Sequence, residues 1–350
     1  MSASKDHFGS VGGRTGWLDA SRSRRCPICD ADTWCQIGRG EHAGIVLCKR
    51  VSSAREKTNR DGVTYWVHRE LNVALGSNAI DREDAMSVVP RAPAVVLDEA
   101  YRAVLATLRL DDHHRDNLRA RGLSDEAIAR GGYRSLRVEG RARAARAIER
   151  AVGERTMKGV PGVVREQRDG RSWWSLRGAA GLVIPSRDLE GRVVALKIRA
   201  DEATDGSRYT AVSSRKCGGA SAVVNVHVPL GARERWVRTR ELWITEGELK
   251  ADVCTALGPF AIVGVPGVSL WKSAIELVEA IDPRRVVVAF DADWKSADPK
   301  KRHVREAREK LVTTLASLGF ETHAADWSLS EGKGLDDYLL GLRRAARRAA

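Results

Sequence analysis

The stretch "RRVVVAFDAD", residues 284–293, sets a strongly apolar run against two aspartates separated by a single residue. The run "VVVAF" is strand-sized and far too short to span a membrane. Working outward from it, the last third of the chain repeats one rhythm. "LWITE" (242–246) reads as a strand, "GELKADVCTALG" (247–258) as a helix closed by Gly258, and "AIVGVP" (261–266) as a strand. "LWKSAIELVEAI" (270–281) is a helix, "VVVAFDAD" (286–293) a strand, "VREAREKLVTTLASLG" (304–319) a helix and "ETHAADW" (321–327) a strand. Short apolar strands alternating with amphipathic helices predict a parallel sheet with helices on its faces. In such sheets the functional groups gather beyond the carboxyl ends of the strands.

That placement gives the aspartates a meaning. Glu246 ends one strand and Asp291 and Asp293 end another, so three carboxylates meet at one rim. Residues i and i+2 of a strand point to one face, which projects Asp291 and Asp293 together. Like charges so close repel and raise one another's pKa, a conflict that a divalent cation resolves. Carboxylate oxygens are hard ligands suited to magnesium or manganese. "SEGKGLDDYLLGL" (330–342) returns Asp336 and Asp337 close behind Lys333. These acids serve either the rim or the N-terminus of the following helix. Gly247, directly after Glu246, allows a tight turn that opens a helix N-terminus to phosphate.

A chain of 350 residues with 43% apolar and 30% charged residues has room for two or three domains with real cores. Its 59 Lys and Arg against 46 Asp and Glu give a net charge of +13, which points to an anionic partner, most simply nucleic acid, or to an arginine-rich composition alone. No apolar run is long enough for a membrane span, and "MSASKDHFGSVGG" (1–13) lacks the pattern of a signal peptide, so a cytoplasmic location is expected.

Four of the six cysteines crowd into "CPICDADTWCQIGRGEHAGIVLC", residues 26–48. Cys26 and Cys29 form a C-x2-C knuckle, followed by Cys35 and Cys48. In a reducing compartment this crowding favours thiolates on a metal. Four soft ligands suit tetrahedral zinc, a closed and therefore structural site. His42 is the alternative to Cys35 as a ligand. Cys217 and Cys254 read as ordinary residues. "GVTYWVHREL" (62–71) alternates like a strand, with Trp66 and His68 on one face, and completes a small zinc ribbon.

Between the ribbon and the sheet, "GSNAIDREDAMSVVPRAPAVV" (76–96) reads as a linker. "LDEAYRAVLATLRL", "DDHHRDNLRARG" and "SDEAIARGG" follow from 97 with helical spacing, Ser124 capping the last. "GLVIPSRDLEGRVVALKIR" (181–199) reads as a hairpin turning at "DLEG", and "SRYTAVSSRKCGGAS" (207–221) as a phosphate-contacting or merely solvated loop. "RVEGRARAARAIER" (137–150) and "LRRAARRAA" (342–350) present basic helical faces, either to DNA or to solvent.

Together, "LWITEGELKAD", "VVVAFDAD" and "GKGLDDYL" resemble the Toprim module of bacterial primases, topoisomerases and some nucleases: a Glu-Gly turn, a D-x-D strand end and a later acidic segment. The likeness covers about 241–340. The order of "CPIC", "WC", "CKR" and "WVHREL" before a mixed segment and Toprim resembles the bacterial DnaG-type primases, closest to the compact primase-like proteins of phages and mobile elements. "RGLSDEAIARGGYRSL" and "GLVIPSRDLEGRVVALKIRADE" resemble the part of the primase core that precedes Toprim. There is no G-x-x-x-x-G-K-[ST] loop, so no helicase motor is expected, and "LLGLRRAARRAA" after Tyr338 is too short for a separate helicase-docking domain.

The resemblance implies an α+β and α/β multidomain chain: a flexible N-terminus (1–25), a zinc-binding module (26–75), a linker (76–96), a mixed α/β N-terminal subdomain of the primase core (97–238) and a Toprim parallel sheet with a basic tail (239–350). It implies synthesis of short RNA primers on single-stranded DNA from nucleoside triphosphates, with a separate replicative helicase as a further partner. Glu246, Asp291 and Asp293 would carry the metal-dependent chemistry, assisted by Asp336 or Asp337. Arg187, Lys197, Arg199, Arg208, Lys216, Lys250 and Lys333 would hold triphosphate or template, and Trp34 or Trp66 would be available for base stacking. A Toprim nuclease, or a non-catalytic zinc and Toprim mediator of recombination, is the alternative.

Overall fold

The computed structural model describes residues 17–22, 24–38, 45–53, 56–58, 63–69, 89–204, 207–295, 298 and 301–349. His42, the first 16 residues of the expected N-terminal segment and most of the expected linker lie outside them. The chain divides into two compact units, Met1–Glu83 and Asp84–Ala350.

In the first unit five short strands form an antiparallel sheet in the order β1-β2-β3-β5-β4: β1 (Trp17–Asp19), β2 (Gln36–Gly38), β3 (Ile45–Cys48), β4 (Glu56–Thr58) and β5 (Thr64–Arg69). Val46 and Cys48 of β3 stand opposite His68 and Trp66 of β5. Its buried core is Ala20, Val46 and the sulfurs of Cys26, Cys35 and Cys48, with Ile28 and Cys29 packed against them. Among the described residues of this unit so little hydrocarbon is buried that burial alone does not account for its folding.

The second unit opens with helices α1 (Ala94–Thr107), α2 (Asp112–Ala120) and α3 (Asp125–Gly131). Ser124 caps α3 by accepting from the Ala127 amide at 3.2 Å. After β6 (Arg134–Leu136) come α4 (Arg141–Val152) and α5 (Glu154–Met157). The hairpin β7 (Val163–Arg168) and β8 (Arg171–Leu176) turns on Asp169 and Gly170, both at positive φ. The hairpin read from "DLEG" is β9 (Gly181–Arg187) and β10 (Val193–Thr204); with β11 (Ser207–Ala211) it gives an antiparallel sheet in the order β11-β10-β9-β6.

The last third is the expected parallel sheet, in the order β13-β12-β14-β15. Its elements are α6 (Ala232–Thr239), β12 (Glu241–Glu246), α7 (Glu248–Leu257), β13 (Ile262–Val265), α8 (Ser273–Ile281), β14 (Arg285–Val288), α9 (Arg302–Ser317), β15 (Glu321–Ala324) and α10 (Leu335–Ala349). One face packs Leu242, Ile244, Val263 and Val286 against Trp236, Val278 and Leu311 of the helices. The other packs Ile262 and Trp243 against Ala251, Cys254 and Trp327. Burial on both faces explains why these strands read as unbroken apolar runs. A third cluster joins Leu118, Ile128, Leu182 and Ile184 to Leu249 and Val253 of α7, so α7 is shared by both sheets.

One expectation is corrected. β14 stops at Val288, and Asp291 and Asp293 do not lie on a pleat. The amide of Ala292 donates to the Lys333 carbonyl at 2.8 Å instead of extending the ladder, and residues 292–295 form one 3-10 turn. The two aspartates are therefore neighbours through a turn, not through strand periodicity. Among the described residues no helix is long and apolar enough to cross a membrane.

Candidate metal centre and catalytic cleft

In the first unit the sulfurs of Cys26, Cys29, Cys35 and Cys48 all lie within 4.8 Å of one another. Cys29 and Cys35 are 3.7 Å apart and Cys35 and Cys48 3.9 Å. A tetrahedron with zinc–sulfur arms of about 2.3 Å has edges of roughly 3.8 Å, so the four thiolates fit zinc. Amides of Arg50 and Val51 approach the Cys48 sulfur at 3.4 and 3.3 Å. Burial pushes the Cys26 thiol up to about 12; at Cys29 burial is outweighed by the Ala31 amide and the neighbouring thiols, which bring it down to about 7. His68 meets the Val51 carbonyl at 3.0 Å, a structural contact. Trp66 donates to Glu56, whereas Trp34 is 73% exposed with Arg50 at 5.9 Å from its ring.

In the second unit the carboxyl ends of β12 and β14 open into a cleft of about 360 Å³. Gly247, at φ +83°, turns β12 directly into α7, and a Cβ at Gly264 would lie 2.6 Å from the Gly247 carbonyl oxygen. The turn places Glu246 at the rim and Lys250 one turn later. The Lys250 ammonium contacts Glu246 at 3.3 Å and also pairs with Asp291. Lys333 lies 3.7 Å from Asp291 and 3.3 Å from Asp293, and Lys301 reaches Asp293 at 2.7 Å. Asp336 is buried and paired with Arg121 at 3.0 Å. Asp337 accepts from the Gly334 amide at 3.2 Å, closing the first turn of α10. A Cβ on Gly334 would stand 2.4 Å from Asp336 Oδ1 and 3.2 Å from Asp291 Oδ1, so only glycine lets these carboxylates approach.

The electrostatics follow from this crowding. Burial, with Asp291 alongside and despite Lys250, lifts the Glu246 carboxyl to about 7. Asp291 is shifted the other way: its burial is outweighed by hydrogen bonding from Glu246 and by Lys250. Burial raises Asp336 as well. Carboxylates from separate segments, Glu246 and Asp291, converge on the ammonium of Lys250, and their oxygens are of the kind that suits a hard divalent ion, but among the described residues no three carboxylates of the rim lie within metal-binding reach of one another as the four cysteines do.

The expected basic residues separate into groups. Lys197, Lys250 and Lys333 line the cleft, Lys197 bonded to Glu248 at 2.6 Å and to the Pro266 carbonyl at 2.8 Å. Arg187 does not: it is buried and donates to the Gly131 carbonyl at 2.7 Å. Arg199 and Arg208 line a different hollow, with His113, Asn117 and Asp201. Lys216 is exposed on the turn 215–217. Sequence reasoning missed Arg121, Lys301 and Glu248, whose roles depend on distant partners. It also missed Asp111, His113 and His114, which come within metal-binding reach of one another. There, however, the ring nitrogens of His114 are engaged by Ser135 at 2.7 Å and Asp201 at 2.8 Å, and Asp111 holds Arg137. Arg343, Arg344 and Arg347 of α10 line a further hollow with Arg119 and Leu257.

A family model described only as a domain of unknown function, DUF3854, matches residues 235–345. No curated protein matches the chain. Among solved structures, the Aquifex aeolicus primase (zinc binding and RNA polymerase domains) is similar with 15% identity and a TM-score of 0.52, over 77% of this chain and 63% of that one. The RNA polymerase domain of Mycobacterium tuberculosis primase DnaG, in complex with a double-stranded DNA oligomer with a 6-nucleotide overhang, is similar with 15% identity and a TM-score of 0.54, over 74% and 81%. A DnaG primase catalytic domain bound to ssDNA follows at 17% identity and 0.51, over 73% and 77%. The chain thus has the fold of DnaG-type primase domains while spanning less than two thirds of the Aquifex structure.

Proposed function

We propose that this protein is a DNA primase that joins ribonucleoside triphosphates into short RNA primers on single-stranded DNA, with residues 239–350 as its Toprim subdomain, 97–238 as the N-terminal subdomain of the core and 26–75 as a zinc module that holds template. The observation that carries this reading is that Glu246 and Asp291 meet at the rim of a primase-like sheet, inside a cleft also lined by Arg121, Lys197, Lys250 and Lys333, with Asp293 tied to the same rim through Lys333. Asp291 and Asp293 would hold magnesium or manganese, with Asp336 or Asp337 assisting. Once bound, the ion neutralises phosphate charge and polarises the attacking oxygen.

The chain's own residues account for the rest. A 3′ hydroxyl oxygen forms a bond to an α-phosphorus while the bond to the β-phosphate oxygen breaks and pyrophosphate leaves. Glu246, titrating near neutrality, takes the hydroxyl proton. Lys333 and Lys301, both partly exposed, can leave their aspartates to meet the triphosphate. Arg121, which follows the last residue of α2, and Lys197 of β10 come from outside the parallel sheet, and this added basic wall favours a triphosphate substrate over simple hydrolysis. A replicative helicase is the natural supplier of single strands.

The test supplies mixed-sequence single-stranded DNA, labelled ribonucleotides and magnesium or manganese, and resolves products on a denaturing gel beside Asp291→Ala. Short template-dependent RNAs absent from the variant are expected. Asp291-dependent cutting of the DNA would replace this reading with a nuclease, and tight DNA binding without either product would make the protein a non-catalytic mediator.

A further inference from the structure

Among the three lysines that pair with Glu246, Asp291 and Asp293, one is placed unlike the other two. Lys333 and Lys301 are 57% and 36% exposed and reach the aspartates from outside. Lys250 is 15% exposed and its ammonium is shared between Glu246, the last residue of β12, and Asp291, three residues beyond the end of the adjacent β14. It is the third residue of α7, in the first turn, where the helix dipole disfavours a positive charge. Only the carboxylates can compensate for that position. Its seat is built from a third segment as well, because a Cβ at Gly334 would lie 3.2 Å from Lys250 Cε.

The pairing around the rim agrees. Glu246 and Asp291 share Lys250, Asp291 and Asp293 are reached by Lys333, Asp293 by Lys301 and Asp336 by Arg121. Seating one divalent ion on Asp291 and Asp293 requires only that the two outer lysines withdraw. Seating a second between Glu246 and Asp291 would require expelling an enclosed ammonium from both partners.

We propose that Lys250 is a resident cation that occupies the inner metal position of the rim, so that the chain holds a single divalent ion, on Asp291 and Asp293. The inference rests on the metal-dependent reading above and makes Lys250 part of the ion site, not a phosphate-binding side chain.

The experiment counts ions directly. Zinc-loaded full-length protein is titrated with manganese, and free ion is followed by its electron paramagnetic resonance signal for the wild type, Lys250→Met, Lys250→Gln, Lys250→Arg and Asp291→Asn. Thermal melts identify the variants that fold. One ion is expected in the wild type and in Lys250→Arg, two in either neutral variant, and a strongly weakened site in Asp291→Asn. Two ions in the wild type overturn the inference whatever the variants do, as does a count unchanged by removing the lysine charge; both outcomes leave the metal-dependent reading standing. No rim ion in any protein overturns both. An ion bound only when the lysine charge is removed supports the resident cation and withdraws metal dependence from the function.

Discussion

At Glu246 a single proton links the fold to the chemistry. Its carboxyl titrates near 7 instead of in the ordinary carboxylate range, mainly through burial. Between those limits the folded chain binds a proton that the unfolded chain releases, so this group's contribution to stability is lost as pH rises through about 7. A divalent ion on the adjacent Asp291 and Asp293 is attracted more strongly once Glu246 is ionised. Manganese affinity at the rim is therefore expected to rise with pH, by at most about tenfold per unit below 7, and to flatten above it. Calorimetric titrations across that window check the slope, and Glu246→Gln should flatten it. A pH-independent affinity in the wild type would show that Glu246 is not coupled to the ion.

α7 is the element that organises the second unit. Glu248 pairs with Lys197 of β10, Lys250 enters the rim, and Asp252 accepts from Tyr133 at 2.5 Å and meets His227 Nε2 at 3.0 Å. His227 is fully buried and its Nδ1 accepts from the Arg187 amide at 3.0 Å. Asp252→Ala would leave a buried phenol and imidazole without their partner. A loss of roughly 2–4 kcal/mol is expected from two such orphaned groups, read by denaturant unfolding. A loss under about 0.5 kcal/mol would mean that this network does not brace α7. The strand and helix rhythm around α7 was legible because each element repeats a local apolar period. The network was not, since Tyr133 and Asp252 are 119 residues apart and no local pattern links them. Arg187 illustrates the same limit: the sequence shows a base after a strand, but only the packed layers show that it faces inward. The Asp169-Gly170 turn is a contrasting case, a signal present in "RDGR" and passed over. Asp291 and Asp293 were read as neighbours for the wrong local reason, because where a strand stops depends on what Ala292 and Lys333 bond to.

For the molecule as a whole, the two units are held by different physics. The second has apolar clusters on both faces of its parallel sheet, drawn from residues beyond 90. Among its described residues the first has Ala20, Val46 and Ile28 around four sulfurs, little apolar surface to set against chain entropy. A structural zinc in such a module supplies on the order of 10 kcal/mol of folding free energy, so metal and fold should be lost together. Chelation is expected to release one zinc per chain and to open residues 17–69 to protease, while the cooperative unfolding of the second unit persists. Because thiolates must shed their protons to bind, and Cys29 does so near 7, zinc release should become easier as pH falls below that value. Cys35→Ser should reproduce the chelated state at any pH. A first unit that stays protease-resistant after complete zinc removal would mean that hydrogen bonds across β1 to β5 suffice to hold it, and that the four cysteines serve another purpose.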